Sequence, residues 1–152
     1  MFNIALYQPD IPQNAATIIR LCSCFGATLE IIKPCGFNLN DKRLKRVAMD
    51  YLDKKKITIY ESYDDFLIKK KNSRIILMTT KTKNSCFNFQ FIPKDTLLFG
   101  RESAGVPKMV HENSHARLKI PLTKKSRSLN ISIAAAIILS EALKQNMFFQ
   151  ND

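Results

Sequence analysis

Short apolar runs alternate with amphipathic stretches along the 152 residues, and this alternation predicts strands separated by helices. The runs at 3–7 and 28–32 have the length and the β-branched content of strands. Between them, residues 15–26 carry apolar side chains at the i, i+3, i+4 and i+7 positions of a helix, which Gly26 would end. The chain therefore opens with a strand, a helix and a second strand.

The same pattern continues to the end of the chain. The remaining predicted strands are 57–60, 74–80, 96–100 and 117–122. The remaining predicted helices are 41–52, 63–71, 108–113 and 129–147. Strands separated by helices indicate an α/β fold, with a mostly parallel sheet and helices on both faces. No linker, repeat or low-complexity tract divides the sequence, so we expect a single domain over residues 1–152.

Ligands of parallel sheets bind at the carboxyl ends of the strands, near the point where the strand order reverses. Gly100 follows one predicted strand, and Thr79 with Thr80 ends another. The last predicted helix is apolar on nearly every side between Ile131 and Leu143, so we expect it to be largely buried. Core packing and a helix–helix dimer interface would both account for that burial.

Basic residues are concentrated in three blocks of this chain, whose formal net charge is +11. Residues 42–56 carry seven Lys and Arg against two Asp, while 69–83 carry six and 117–127 carry five, with no acid in either. Such blocks favour a polyanionic partner, because each phosphate that a protein neutralises releases a condensed counterion. Solvated lysine-rich faces are the alternative interpretation.

Several functional classes are disfavoured by simple features. The first ten residues have no basic leader, and the longest apolar run, Ile133–Leu139, is too short to span a bilayer, so we expect a cytoplasmic protein without membrane contact. None of the four cysteines forms a C-x-x-C pair, so we expect buried, reduced thiols.

One zinc-site pattern occurs in the chain and is discounted. "HENSH" at 111–115 satisfies H-E-x-x-H, which needs two histidines on one face of a sustained helix and a third ligand. Asn113 and Ser114 are poor helix formers, and the chain has no other histidine. We therefore expect no bound metal.

The glycine loop "FGRESAGVP" does not match the known nucleotide motifs. Gly100 and Gly105 have phosphate-loop spacing, but Val106-Pro107 follows where Lys-Ser or Lys-Thr is required. Glycine-rich dinucleotide fingerprints and G-x-S-x-G nucleophile elbows are also absent. Instead, this loop is one of three polar clusters at strand–helix junctions, the others being "PDIPQNAATIIR" and "IPLTKKSRSLNIS". Taken singly, such residues have ordinary explanations: Asn14 and Ser128 could cap helices, and the glycines could serve a turn.

Taken together and in this order, the three clusters resemble the SPOUT class of RNA methyltransferases, in its 2′-O-ribose branch. The matching patterns are N-x5-R, F-G-x-E-x-x-G-[VL]-P and I-P-x6-S-L-N-[IL]-S, and the likeness runs from about residue 1 to 145. The resemblance implies a C-terminal trefoil knot, a homodimer and S-adenosylmethionine as methyl donor. It further implies a tRNA substrate, methylated on the ribose of the wobble nucleotide (C/U34) in the anticodon loop, with leucine isoacceptors as the expected tRNAs.

The resemblance also implies roles for individual residues. The cofactor would be held by Met78, Thr79, Gly100, Glu102, Ile120, Ser128 and Leu129. Arg20 and Asn14 would be catalytic; since a free guanidinium stays protonated at neutral pH, we expect Arg20 to stabilise the developing alkoxide as a cation. Substrate contacts would come from Lys42, Arg43, Lys45, Arg46 and Asn130.

Two alternatives remain open beside this hypothesis. A relative of the same fold could methylate another tRNA site or ribosomal RNA. A non-catalytic RNA-binding module could have retained the fold without the reaction.

Overall fold

The structure is a computed structural model that describes residues 1–51 and 57–146, with side chains omitted for 47–51. Its strands are β1 Asn3–Tyr7, β2 Thr28–Ile32, β3 Ile57–Tyr60, β4 Ile75–Met78, β5 Thr96–Phe99 and β6 Ala116–Leu118. Its helices are α1 Pro12–Phe25, α2 Lys42–Tyr51, α3 Tyr63–Lys69, α4 Lys108–Asn113 and α5 Ile131–Gln145, with a short 3₁₀ turn at Cys86–Asn88.

The strands form one sheet in the order β3-β2-β1-β5-β4-β6, and every pairing is parallel. Alternate strand residues point to opposite faces: Ile4 and Leu6 join the core under α1, α2 and α5, while Ala5 and Tyr7 join the core under α3 and α4. The predicted α/β fold with helices on both faces is confirmed. Because the strand order reverses between β1 and β5, the loops after these two strands flank the expected ligand crevice.

Most element boundaries lie within a few residues of the predicted ones, and the differences have local causes. Helix α1 starts at Pro12 because proline has no N–H to lose at the first helical position, and Gly26 ends it in the left-handed region, at φ 66°. Strand β6 stops at Leu118, short of the predicted 122. The next residue, Lys119, is hydrogen-bonded to Asn84 and Cys86, and Pro121 cannot donate.

Helix α5 was expected to be largely buried, and in the structure one face of it is buried while the rest is half-buried or exposed. Ala135, Ile138, Leu139, Ala142 and Leu143 are buried, whereas Ile133 is 52% exposed. The predicted last residue of this helix, 147, and residue 52 of the helix predicted at 41–52 lie outside the described residues. No helix in the described ranges is long and apolar enough to cross a membrane.

Candidate functional site

The loop after β5 folds back on itself at the two glycines. Arg101 N–H donates to the Gly105 carbonyl at 3.0 Å, and Gly105 N–H donates to the Arg101 carbonyl at 2.8 Å. A Cβ on Gly100 would lie 2.8 Å from the carbonyl carbon of Gly105, and Gly105 itself has φ +66°. The first glycine is therefore required by close backbone approach and the second by its left-handed conformation.

Asp10, in the loop after β1, clamps this glycine loop from the other side of the crevice. Its carboxylate accepts hydrogen bonds from Arg101 Nη2 at 2.8 Å and from the Ser103 N–H at 3.1 Å. The Ser103 hydroxyl also donates to it. The hydrogen bonds from Arg101 and then Ser103 lower the pKa of Asp10 to about 2, so the carboxylate is charged at neutral pH.

Glu102 joins the same two loops to the start of α5. Its carboxylate accepts from Asp10 N–H at 2.8 Å and from Asn14 Nδ2 at 3.1 Å. The side-chain oxygen of Asn14 in turn accepts from Asn130 Nδ2 at 3.0 Å. Asn130 is the N-cap of α5, since its own oxygen accepts from Ser132 N–H at 2.8 Å. One chain of hydrogen bonds thus connects all three polar clusters found in the sequence.

The helix-cap explanations available from sequence are wrong for the residues first considered. Asn14 lies inside the first turn of α1 and is 8% exposed, and the N-cap of that helix is Ile11, which makes no side-chain cap bond. Asn130 rather than Ser128 caps α5. Asn14 is instead buried because both ends of its amide are used to join other loops.

A cavity of about 630 Å³ opens between the three loops. This volume lies in the range of small-molecule and cofactor sites. One side is apolar, from Met78, Phe99, Leu122, Leu129 and Ile131. Glu102 is the one carboxylate among the described residues that line the cavity. The positively charged residues of the lining are Lys81, Arg101 and Lys119.

The cavity collects most of the residues singled out from sequence. Its lining includes Asn14, Met78, Thr79, Gly100, Glu102, Ile120, Ser128, Leu129 and Asn130. Arg20 is not in this lining: it lies on the exposed side of α1. Lys42, Arg43, Lys45 and Arg46 are also outside it, exposed on α2 around the buried Leu44. Helix α2, which carries these cations, packs against α1, which carries Arg20.

Sequence reasoning missed two members of the site, Asp10 and Ser103. Asp10 was visible inside "PDIPQN", but nothing in the spacing shows that it meets residues more than ninety positions later. The one sequence feature that points to Asp10 is its position between two prolines in the loop after a strand. That feature does not show which residue the carboxylate would contact.

The two histidines do not form the zinc site that their spacing suggests, and only two of the four cysteines are buried. Helix α4 ends at Asn113 and Ser114 is extended, so His111 and His115 do not share a helix face. The described residues contain no cluster of metal-ligating side chains. All four cysteines are free; Cys22 and Cys86 are buried as expected, but Cys24 is exposed and Cys35 half-buried, so the expectation of burial is wrong for those two.

Comparisons with a family model, with sequences and with solved structures all relate this chain to RNA methyltransferases. The SpoU rRNA Methylase family model matches residues 1–140. A tRNA (cytidine(34)-2′-O)-methyltransferase of Beijerinckia indica is 46% identical over 144 residues, 93% of this chain and 90% of that protein. A solved structure described as giving insights into the 2-OH methylation of C/U34 on tRNA has a TM-score of 0.91 at 34% identity, covering 97% of both chains.

A more distant solved structure shares the fold. The SpoU methyltransferase AviRb from Streptomyces viridochromogenes, in complex with the cofactor AdoMet, has a TM-score of 0.83 at 23% identity. The match covers 95% of this chain and 57% of that one. With a family model over most of its length and a close relative of nearly equal size, the chain belongs to the SpoU rRNA methylase family.

Proposed function

We propose that this protein is an S-adenosylmethionine-dependent methyltransferase that modifies the ribose 2′-oxygen of the wobble nucleotide (C/U34) in the tRNA anticodon loop. The relative from Beijerinckia indica carries that activity in its name, and it aligns with nearly the whole chain. The observation that carries the proposal is the hydrogen-bond chain Glu102–Asn14–Asn130, which gathers the three family motifs around one cavity. The resemblance makes leucine isoacceptors the first tRNAs to test, and a tRNA substrate implies a cytoplasmic reaction.

The cavity suits the chemistry of this cofactor. An adenine ring needs an apolar slot, which Met78, Phe99 and Leu129 would supply, and main-chain groups near Gly100 and Ile120 can approach it closely. Glu102 places a carboxylate in a site that would receive a positively charged sulfonium. We assign cofactor contacts to Met78, Thr79, Gly100, Glu102, Ile120, Ser128 and Leu129. When bound, the cofactor supplies an activated methyl group, so the reaction needs no metal.

The protein's task is then to orient the ribose and to stabilise its 2′-oxygen as the hydroxyl proton passes to solvent water and the oxygen takes up the methyl group. We assign orientation to Asn14, whose amide is held on both sides by Glu102 and Asn130. Holding reacting groups in line supplies a large part of the rate enhancement in such transfers. Arg20 would act as a cation that stabilises the developing negative charge on the 2′-oxygen.

A homodimer accounts for the position of Arg20. The lining residues of the cavity do not include Arg20, and α5 leaves Ile133 52% exposed beside the half-buried Ala134 and Ile137. A second copy packed on this apolar face would bury it, as expected for homodimer interfaces. We propose that each active site combines the cavity of one chain with Arg20 of the other.

The RNA would approach from the basic flank formed by α1 and α2. Lys42, Arg43, Lys45 and Arg46 are exposed there, and we assign them to phosphates of the anticodon stem-loop, with Asn130 at the nucleotide itself. Readout of unstacked loop bases is the usual basis of RNA specificity, which suits a wobble nucleotide.

We also propose that residues 1–152 are one SPOUT domain with a C-terminal trefoil knot. Contacts between the segment after β6 and the 84–86 loop, through Lys119, support a threaded arrangement, as does Gln145 Nε2 donating to the Phe89 carbonyl at 3.0 Å. The bonds of Lys119 place the segment after β6, and the bond of Gln145 places the end of α5, against the loop that a knot would pass through.

Transfer of labelled methyl groups from S-adenosylmethionine tests the function. Purified protein is incubated with total tRNA or with ribosomal RNA, and incorporation into each is counted. We expect label in tRNA and none above background in ribosomal RNA. Label confined to ribosomal RNA, or no transfer by protein that binds the cofactor, would overturn the proposal.

A further inference from the structure

Two of the basic sequence blocks meet in the fold, although they are separated by more than thirty residues. Strands β4 and β6 pair in parallel, with Leu77 opposite Arg117. Beyond the strands, Thr82 Oγ1 donates to the Arg117 carbonyl at 3.3 Å and Lys119 N–H donates to the Asn84 carbonyl at 2.9 Å. The acid-free segments 69–83 and 117–127 are therefore fastened to each other along one edge of the sheet.

A second cavity, of about 530 Å³, lies at this edge, and we call it the β6 groove. Its polar lining includes Lys83, Asn84, Ser85, Asn88, His115 and Arg117, and none of its described lining residues is acidic. Lys83, His115 and Arg117 are exposed. Their charges and donors thus face solvent and can reach a ligand.

The ring of His115 is held as a hydrogen-bond donor towards the outside. Its Nδ1 accepts from the Ile75 N–H at 3.0 Å. The neutral ring must then carry its proton on Nε2, which becomes a donor. Together with the ammonium of Lys83 and the guanidinium of Arg117, this gives three kinds of donor suited to phosphate oxygens.

The β6 groove and the cavity proposed to bind the cofactor are lined by neighbouring residues of the same two segments, such as Lys83 and Lys81, or Leu118 and Lys119. Lys81, His111 and Lys119 line that first cavity and belong to the same two segments or to the neighbouring α4. Burial, and after it the charges of Lys81 and Arg117, lower the pKa of His111, in keeping with one nearby cation from each of the two blocks. The nearby carboxylate of Glu112 is paired with Lys108 at 3.4 Å.

We propose that the β6 groove binds the sugar–phosphate backbone of the RNA, on the side of the catalytic cavity away from the basic face of α2. The proposal rests on the proposed function, since it takes the polyanion to be the RNA that enters the first cavity. Cations line both the groove and the first cavity, and two such sites on neighbouring residues suit a chain of phosphates better than a single small anion. Lys83 and Arg117 would each neutralise a phosphate and release its counterion.

The test measures tRNA affinity against salt for Lys83→Ala/Arg117→Ala. Its matched control is Lys69→Ala/Lys71→Ala, which removes two exposed cations from the same sequence block outside both cavities. The plot of log affinity against log salt has a negative slope, and the groove variant is expected to make this slope less steep by about 1.5. The control variant is expected to leave the slope unchanged. A charge-preserving variant, Lys83→Arg/Arg117→Lys, is expected to keep the wild-type slope.

Cofactor affinity checks that each variant is folded, and methyl transfer separates this proposal from the proposed function. The groove variant is expected to raise KM for tRNA and leave kcat unchanged. If wild type methylates tRNA while groove and control variants bind it with equal slopes, the groove proposal is wrong and the function stands. If wild type binds tRNA without methylating it, and the salt dependence of the groove variant is still weaker than that of wild type, the proposed function is wrong and the groove proposal stands. A wild-type protein that does not bind tRNA would overturn both.

Discussion

The side-chain amide of Asn130 donates a 3.0 Å hydrogen bond to the side-chain oxygen of Asn14, which lies 116 positions earlier in the chain. This bond links the N-terminus of α5 to the first turn of α1. The side-chain amide of Asn14 also donates a hydrogen bond to Glu102. The three loops around the cavity are therefore set relative to one another by two side-chain amides and one carboxylate. A change in any of them should disturb the site before it disturbs the core.

Replacing Asn14 should separate geometry from charge. We expect Asn14→Ala to lower kcat/KM by about tenfold or more, because two partly buried hydrogen bonds worth about 1 kcal/mol each are lost. Asn14→Asp should be worse than Ala, since a second carboxylate would face Glu102. Steady-state methyl transfer and urea unfolding measure the two effects. Equal activity of Asn14→Ala and wild type would show that the amide bridge has no role.

Gly100 and Gly105 should respond differently to the same substitution. Gly100→Ala forces a Cβ to within 2.8 Å of backbone, and we expect cofactor affinity to fall by more than tenfold. Gly105→Ala meets no atom within 4 Å but must hold φ near +66°, which costs about 1 kcal/mol of stability. Isothermal titration with the cofactor and thermal unfolding distinguish these outcomes. A larger loss of affinity for Gly105→Ala than for Gly100→Ala would contradict the structure.

The Asp10 clamp predicts a specific dependence of stability on pH. Because the folded-state pKa is lowered from 3.8 to about 2, the charged carboxylate stabilises the fold above pH 3.8, and this contribution is lost as the pH falls towards 2. Asp10→Asn should therefore be less stable than wild type by about 0.5–1 kcal/mol at neutral pH, as for a partly exposed ion pair. Urea unfolding across the acid range measures both proteins. A difference that stayed constant down to pH 2 would mean that the carboxylate charge is not involved.

The shared active site proposed for the homodimer can be tested by complementation. Arg20→Ala alone should be inactive with cofactor binding intact, and Gly100→Ala alone should be inactive at a cofactor concentration well below its weakened Kd. When the two chains are co-expressed, half of the dimers are mixed, and each mixed dimer holds one complete site. We expect about a quarter of wild-type activity to return. Absence of any recovery, with mixed dimers verified by tagged purification, would place Arg20 in the site of its own chain.

The strand and helix pattern could be predicted from sequence because burial imposes its period on each element. Residues 3–7, 28–32 and 57–60 were predicted at their observed bounds. The end of β6 could not be predicted, since the hydrogen bonds of Lys119 to the 84–86 segment depend on which distant loop lies beside it. Local pattern fixes the elements, and topology decides where they stop.

The candidate site was predicted mainly through the resemblance of its motifs to a known family. This resemblance did not reveal how some individual residues are placed. Glycine, asparagine and serine at strand ends indicated loops that could approach a ligand, and the cavity lining includes them. The Asp10–Arg101 ion pair was not predictable, because charge pairing across 91 positions leaves no periodic trace. The position of Arg20 outside the lining was likewise invisible, since a helical period does not reveal which loops fold over the helix.

Mapping the methylated nucleotide tests the central claim most directly. Unmodified tRNA is incubated with the protein and labelled S-adenosylmethionine, digested to nucleosides and oligonucleotides, and analysed by mass spectrometry. We predict one added methyl group, on the ribose of nucleotide 34 of the anticodon loop. Methylation of a base, or of a ribose elsewhere in the tRNA, would contradict the account.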